Sequence, residues 1–262
     1  MGATSARFPE RMSVRIKIAY GDHPEQFGHL YLPSAPVTPA TPVVVIVHGG
    51  FWSGQYASNL GTQFARAVAG AGAVAWNIEY RRVGAGGHWP EMQADVRAAL
   101  DAVAGVVQHH APVGVDDVRV IGHSAGGHLA VWLGGETDTT VRPSRIVSQA
   151  GVLDLEPRGA SGRTNPAVEA LLQARYEDEP ELYRSASPLA RLPIGIPTIC
   201  LHGSDDLQVP ASQSSRYVEA ARAAGDDAEP AIVPGEDHFA FLNPDSRCWA
   251  LSLEAVLGER RG

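Results

Sequence analysis

Ile121-Gly122-His123-Ser124-Ala125-Gly126-Gly127-His128 is the stretch that decides the fold. Val118 to Ile121 is a short apolar run of strand character, and an Ala/Leu/Trp-rich helical pattern follows Ser124. Between them lies Gly-x-Ser-x-Gly, a strand-to-helix turn so tight that its serine takes a strained backbone conformation. Glycines two residues either side keep neighbouring atoms clear, and the turn lifts Ser124 Oγ above the sheet edge. The helix that follows aims its N-terminal N–H groups at the same spot, which suits a nucleophile that becomes an oxyanion-bearing ester. By itself the pattern also fits an ordinary Gly/Ser turn. The chain must therefore supply a base, an orienting acid and an oxyanion hole in the right order.

Outward from this turn, strands alternate with helices. Val14 to Ile18 alternates strictly and, with Gly28 to Leu32, forms the pattern of an antiparallel hairpin at a sheet edge. Val43 to Val47 is an uninterrupted β-branched run, as expected of a strand covered on both faces. Helical patterns then cover 60–71, 89–107, 125–134, 212–224 and 246–257. Strand patterns cover 73–80, 118–121, 146–150, 197–201 and 231–233. About eight strands with helical crossovers predict an α/β fold, a mostly parallel doubly wound sheet with helices on both faces. One domain is expected over residues 1–262. Residues 152–196 interrupt the rhythm with turn signals and two short helical patterns, and they are expected to form a small cap insertion over the carboxyl edge of the sheet.

The 262 residues, 44% of them hydrophobic, suffice for one large core. A net charge of −8 with no Lys/Arg-rich run argues against nucleic acid or an anionic membrane as partner. Cys200 and Cys248 sit in apolar contexts and do not make a disulfide framework. Met1 to Glu10 lacks an apolar signal-type core, and no apolar run approaches the ~20 residues of a membrane span. The default expectation is a cytoplasmic protein acting on a small molecule; self-association as a homodimer stays open.

In open α/β sheets the active groups lie beyond the carboxyl ends of the strands. The strand ending at Leu201 runs into His202-Gly203-Ser204-Asp205-Asp206, and the last strand runs into Gly235-Glu236-Asp237-His238-Phe239. Ser, Asp, His is the chain order of this architecture. His238 would take the Ser124 proton and return it to the leaving group, while an aspartate on its other ring nitrogen fixes the tautomer. Asp205 and Asp206 both stand just past the sheet edge as candidates for that role. Asp237 is too close in sequence to reach Nδ1 of His238 easily. His48 and His202 each close a strand and are expected to brace loops. His48-Gly49-Gly50-Phe51-Trp52 follows the buried strand, and its glycine pair lets backbone amides swing inward. Gly50, Phe51 and Ala125 are the expected oxyanion donors. Trp52 and Phe239 are the expected substrate contacts among the aromatic residues near these loops.

These pieces resemble the α/β-hydrolase superfamily from about residue 14 to 257. His48-Gly49-Gly50-Phe51-Trp52 is similar to the His-Gly-Gly-x-Trp signature of the kynurenine formamidase (arylformamidase) group. Glu79-Tyr80-Arg81, Trp89-Pro90 and Asp95 resemble a segment shared with hormone-sensitive-lipase-like esterases, and Gly151 to Pro157, Asn165 and Ser187-Pro188 look like the cap of both groups. Phe51 stands where the esterase branch has a third glycine, which shifts weight toward the formamidase-like branch. His202 to Pro210 is similar to the family pattern His-Gly-x-x-Asp-x-x-Val-Pro, so the resemblance implies Asp206 as orienter and leaves Asp205 solvent-facing or a turn former. It implies Ser124 as nucleophile and His238 as base, with no metal or cofactor. The implied reaction is cleavage of a small ester or activated amide, with a broad carboxylesterase or lactonase as the alternative. A ligand-binding protein that keeps the fold without turnover is remote, since all three triad candidates are present.

Overall fold

The computed structural model describes residues 14–157 and 165–258. Eight strands form one sheet in the order β1-β2-β4-β3-β5-β6-β7-β8. They are β1 (Val14–Ala19), β2 (Phe27–Leu32), β3 (Val43–Val47), β4 (Val74–Ile78), β5 (Val118–His123), β6 (Arg145–Gln149), β7 (Thr198–Gly203) and β8 (Ala228–Val233). From β4 to β8 every neighbouring pair is parallel, and β1 and β2 are antiparallel additions at one edge. Every residue of β3, β4 and β5 is buried, the result of helices lying on both faces.

Among the described residues seven α-helices accompany the strands: α1 (Thr62–Gly70), α2 (Glu91–Asp101), α3 (Ala125–Gly134), α4 (Pro166–Leu172), α5 (Pro180–Ala186), α6 (Ser212–Ala223) and α7 (Arg247–Leu257). Alternate strand residues feed two cores, because successive side chains point to opposite faces. Val44, Ile46 and Ala75 pack with Phe64 and Val68 of α1 and Trp249 of α7. Val43, Val45, Trp76 and Val120 pack with α2, α3 and α6 on the other face. Cys200 and Cys248 are buried and unpaired, as small apolar residues would be. No helix among the described residues is long and apolar enough to cross a membrane.

Two elements differ from expectation. The helix expected to run to Val107 stops at Asp101 and tightens into a 3-10 turn, Ala102–Ala104. Gly105 and β-branched Val103, Val106 and Val107 disfavour its continuation. The last strand is longer than expected, beginning at Ala228 and including Pro230. Pro230 is tolerated because β8 is an edge strand and pairs only with β7.

The stretch between β6 and β7 contributes α4, α5 and a 3-10 turn at Pro188–Arg191, while residues 158–164 of the expected cap lie outside the described residues. Its buried Val168, Leu171, Tyr183 and Ala186 join the core on the α3 side. Hydrogen bonds fix it there: Trp89 N–H donates to the Leu171 carbonyl (3.0 Å), and Trp132 Nε1–H to the Ser185 carbonyl (3.2 Å).

Candidate active site

Register places the proposed groups together. Val47 of β3 lies beside Gly122 of β5, His123 beside Gln149 of β6, and Gly203 of β7 beside Val233 of β8. The loops after β3, β5, β7 and β8 therefore all leave the sheet at the same edge, in the spatial order that the strands impose.

Ser124 sits between β5 and α3 with φ 55° and ψ −117°, a conformation that L-residues avoid at a cost of about 1–3 kcal/mol. Its own N–H donates to the Gln149 carbonyl (2.8 Å), and its carbonyl accepts from His128 N–H (3.0 Å). The turn is thus held from β6 and from the first turn of α3. The loop after β3 backs directly onto it. A methyl group on Gly49 would lie 2.5 Å from the His123 carbonyl oxygen and 3.1 Å from Ser124 Cβ. Gly50 follows with φ 112°, then Phe51 and Trp52, both at φ 56°. Among the described residues the N–H groups of Gly50, Phe51 and Ala125 donate to no protein acceptor.

Asp206 and His238 are paired. His238 Nδ1–H donates to Asp206 Oδ2 at 2.6 Å, and both residues are buried. Asp206 Oδ1 accepts from Gln208 N–H and Val209 N–H, each at 2.8 Å, and Oδ2 also lies 3.2 Å from His202 Nε2. Burial alone would raise the carboxyl pKa, but the hydrogen bonds from His202, His238 and Val209 outweigh it and hold the group well below the usual carboxylate range. Asp205 is exposed and, among the described residues, accepts only from its neighbour Ser204, while Asp237 caps the next turn through Phe239 and Ala240 N–H. The structure thus brings Asp206, and not Asp205, to the His238 ring.

Ser124 Oγ and the His238 ring share no hydrogen bond among the described residues; His123 joins their two loops instead. Its Nε2–H donates to the His238 carbonyl (2.9 Å), and its ring lies 4.7 Å from the His238 ring, centroid to centroid. Hydrogen bonds of this kind in unliganded sites often tighten only when substrate arrives.

Other histidines brace. His48 bridges the Gly49 carbonyl and the Glu79 carboxyl, each 2.8 Å from a ring nitrogen, and stacks on Tyr80. His202 is bonded to Ser214 Oγ (2.8 Å) and lies 2.9 Å from the Val209 carbonyl. Glu79 further accepts from Ser58 N–H (2.8 Å) and from Arg82. Asp95 accepts three bonds from Arg81, at 2.7–2.9 Å, and one from Gln26 (2.6 Å). The Glu-Tyr-Arg segment is therefore a buried polar framework beneath the loop after β3.

Trp52 requires a correction. Its side chain is buried, not lining an open site, because its indole N–H donates to His128 Nδ1 (3.1 Å) inside the core. Phe239 does face outward, 55% exposed and edge-on to His238. Phe51 and Tyr56 are exposed on the loop after β3, and Leu207 on the loop after β7. His128 was not singled out from the sequence, although its position one helical turn after Ser124 was a signal for it.

The BD-FAE family model matches residues 29–220, well over half of the chain. The chain belongs to the BD-FAE family. Esterase LipC of Mycobacterium tuberculosis is 28% identical over 92% of this BD-FAE chain, which spans 65% of LipC's length. Kynurenine formamidase of Danio rerio is 26% identical over 87% of the chain and 75% of its own. Among solved structures, a truncated carbohydrate esterase from gut microbiota superposes with a TM-score of 0.79, covering 94% of this chain and 95% of its own at 20% identity. The BD-FAE chain thus has the α/β-hydrolase fold that its sequence resembles.

Proposed function

We propose that this protein is a serine esterase, with Ser124 as nucleophile, His238 as base and Asp206 as orienter. The Asp206–His238 pair beside the strained serine turn carries the proposal. Ser124 Oγ attacks the carbonyl carbon of the substrate and its proton passes to His238 Nε2, the ring nitrogen left free by the Asp206 bond. The carbonyl electrons move onto oxygen, which meets the N–H groups of Gly50, Phe51 and Ala125. One such donor is typically worth about 3 kcal/mol of barrier. Collapse expels the alcohol, which takes the proton from His238, and water repeats the sequence on the acyl-enzyme. No step calls on a metal or cofactor.

A small ester with an apolar or aromatic group is the favoured substrate. The exposed Phe51, Tyr56, Leu207 and Phe239 offer that group a surface, and LipC bears the name esterase. An activated aromatic amide is a second reading, supported by His48-Gly49-Gly50-Phe51-Trp52 and by the formamidase relative. Hydrolysis of short p-nitrophenyl esters, lactones and N-formylkynurenine by the purified protein separates the two. Faster turnover of esters supports the first, and faster turnover of the formamide the second. No Ser124-dependent turnover of any of them contradicts both.

A further inference from the structure

Helix α3 buries all ten of its residues, and His128 is the one ionisable group among them. A leucine would fill such a site without desolvating a polar ring, so the imidazole's two bonds need a reason. His128 Nε2–H donates to the Ala186 carbonyl at the end of α5 (2.9 Å), which leaves Nδ1 as a bare acceptor for the Trp52 indole N–H (3.1 Å). Both bonds call for the same neutral tautomer. The Trp52 and His128 rings meet edge-on, 5.3 Å apart at 87°.

Trp52 closes three consecutive residues of positive φ: 112° at Gly50, then 56° at Phe51 and at Trp52 itself. For the two side-chain-bearing residues this backbone is strained, so the loop keeps its shape only where its surroundings hold it. Outside, the Trp52 carbonyl accepts from Val83 N–H (2.9 Å) and Gly54 N–H donates to the Val83 carbonyl (2.8 Å). Inside, the indole is bonded to His128, three residues along α3 from Ala125.

We propose that His128 is a positioning residue of the oxyanion hole: through Trp52 it holds the loop bearing the Gly50 and Phe51 N–H groups in register with the Ala125 N–H of its own helix. This rests on the serine-esterase reading and adds a residue that does not touch substrate. It also explains why the tryptophan of the loop is buried: its indole is an anchor, and Phe51 before it is left to face the site.

The two bonds can be separated. Asn at 128 presents an acceptor near the place of Nδ1 and loses the bond to Ala186; Gln presents a donor near Nε2 and loses the acceptor for Trp52. Trp52→Phe keeps the ring packing and removes the donor. With p-nitrophenyl acetate as substrate, Trp52→Phe and His128→Gln should each lower kcat about 10- to 100-fold with KM held within about 3-fold, as for donors that act only in the transition state. His128→Asn should keep kcat within about 3-fold of wild type, and the Trp52→Phe/His128→Gln double variant should be no slower than the slower single one. Tm is recorded for every variant. Wild-type kcat in Trp52→Phe would overturn the inference, as would an Asn variant as slow as Gln with the same loss of Tm. Turnover by wild type that survives Ser124→Ala has a different meaning: it removes the esterase reading itself.

Discussion

His238 Nδ1 and Asp206 Oδ2 stand 2.6 Å apart, and the same carboxylate is held by two backbone N–H groups of its own loop, those of Gln208 and Val209. The carboxylate is therefore oriented before it orients the imidazole. Asp206→Asn preserves shape but presents an amide that favours the wrong tautomer of His238. It should lower kcat by about 10³- to 10⁴-fold. Asp205→Asn, at an exposed residue bonded to Ser204, should stay within about 3-fold of wild type, since surface changes away from such networks have small effects. Steady-state kinetics on the two variants check this directly.

Gly49 backs onto the Ser124 turn, with room for hydrogen only. Gly49→Ala would push the loop away from the His123 carbonyl and Ser124 Cβ, displacing the Gly50 and Phe51 N–H groups proposed as oxyanion donors. A fall in kcat of at least about 100-fold is expected, since displacements near 1 Å carry that penalty. Circular dichroism of the variant should retain the native spectrum.

His123 ties the Ser124 loop to the His238 loop through the His238 carbonyl. His123→Phe keeps an aromatic ring against Phe241 but strips that buried carbonyl of its donor. A loss of about 1–3 kcal/mol in unfolding free energy is expected, the cost of an unpaired buried acceptor. Urea titration of the variant measures it.

Acid should destabilise the fold well above the usual carboxylate range. Burial, with the neighbouring His238 as a second cause, lowers the pKa of His123 to about 3, and burial lowers that of His128 to about 4. Both groups are uncharged in the folded chain and take up protons on unfolding below about pH 6.5. Their contribution is complete above that pH and is lost as pH falls toward 3–4, by about 2 kcal/mol each between pH 7.5 and pH 5. Urea unfolding across this range should show the decline, and His128→Asn should flatten its slope.

Much of the fold, and the convergence of the candidate residues on one sheet edge, was legible because both are written in short local motifs. Ser124, Asp206 and His238 each follow a strand pattern, and the uninterrupted β-branched run of β3 reads as a strand covered on both faces. The role of Trp52 was not legible. An aromatic residue beside glycines suggests a pocket wall, and only the fold shows His128 standing within reach of its indole. Pro230 hid the first half of β8, since a proline argues against a strand unless the strand is known to lie at an edge. The braces Glu79 and His48 lie 31 residues apart in sequence, and their pairing depends on β3 and β4 being neighbours, which no local pattern states.

The central claim is that Ser124 is a nucleophile activated by His238. Intact-mass spectrometry after brief exposure to a fluorophosphonate probe tests it most directly. The wild-type chain should gain one adduct, mapped to Ser124, while Ser124→Ala gains none and His238→Ala reacts far more slowly. An adduct that forms equally well on Ser124→Ala, or a wild-type chain that stays unlabelled, would contradict it.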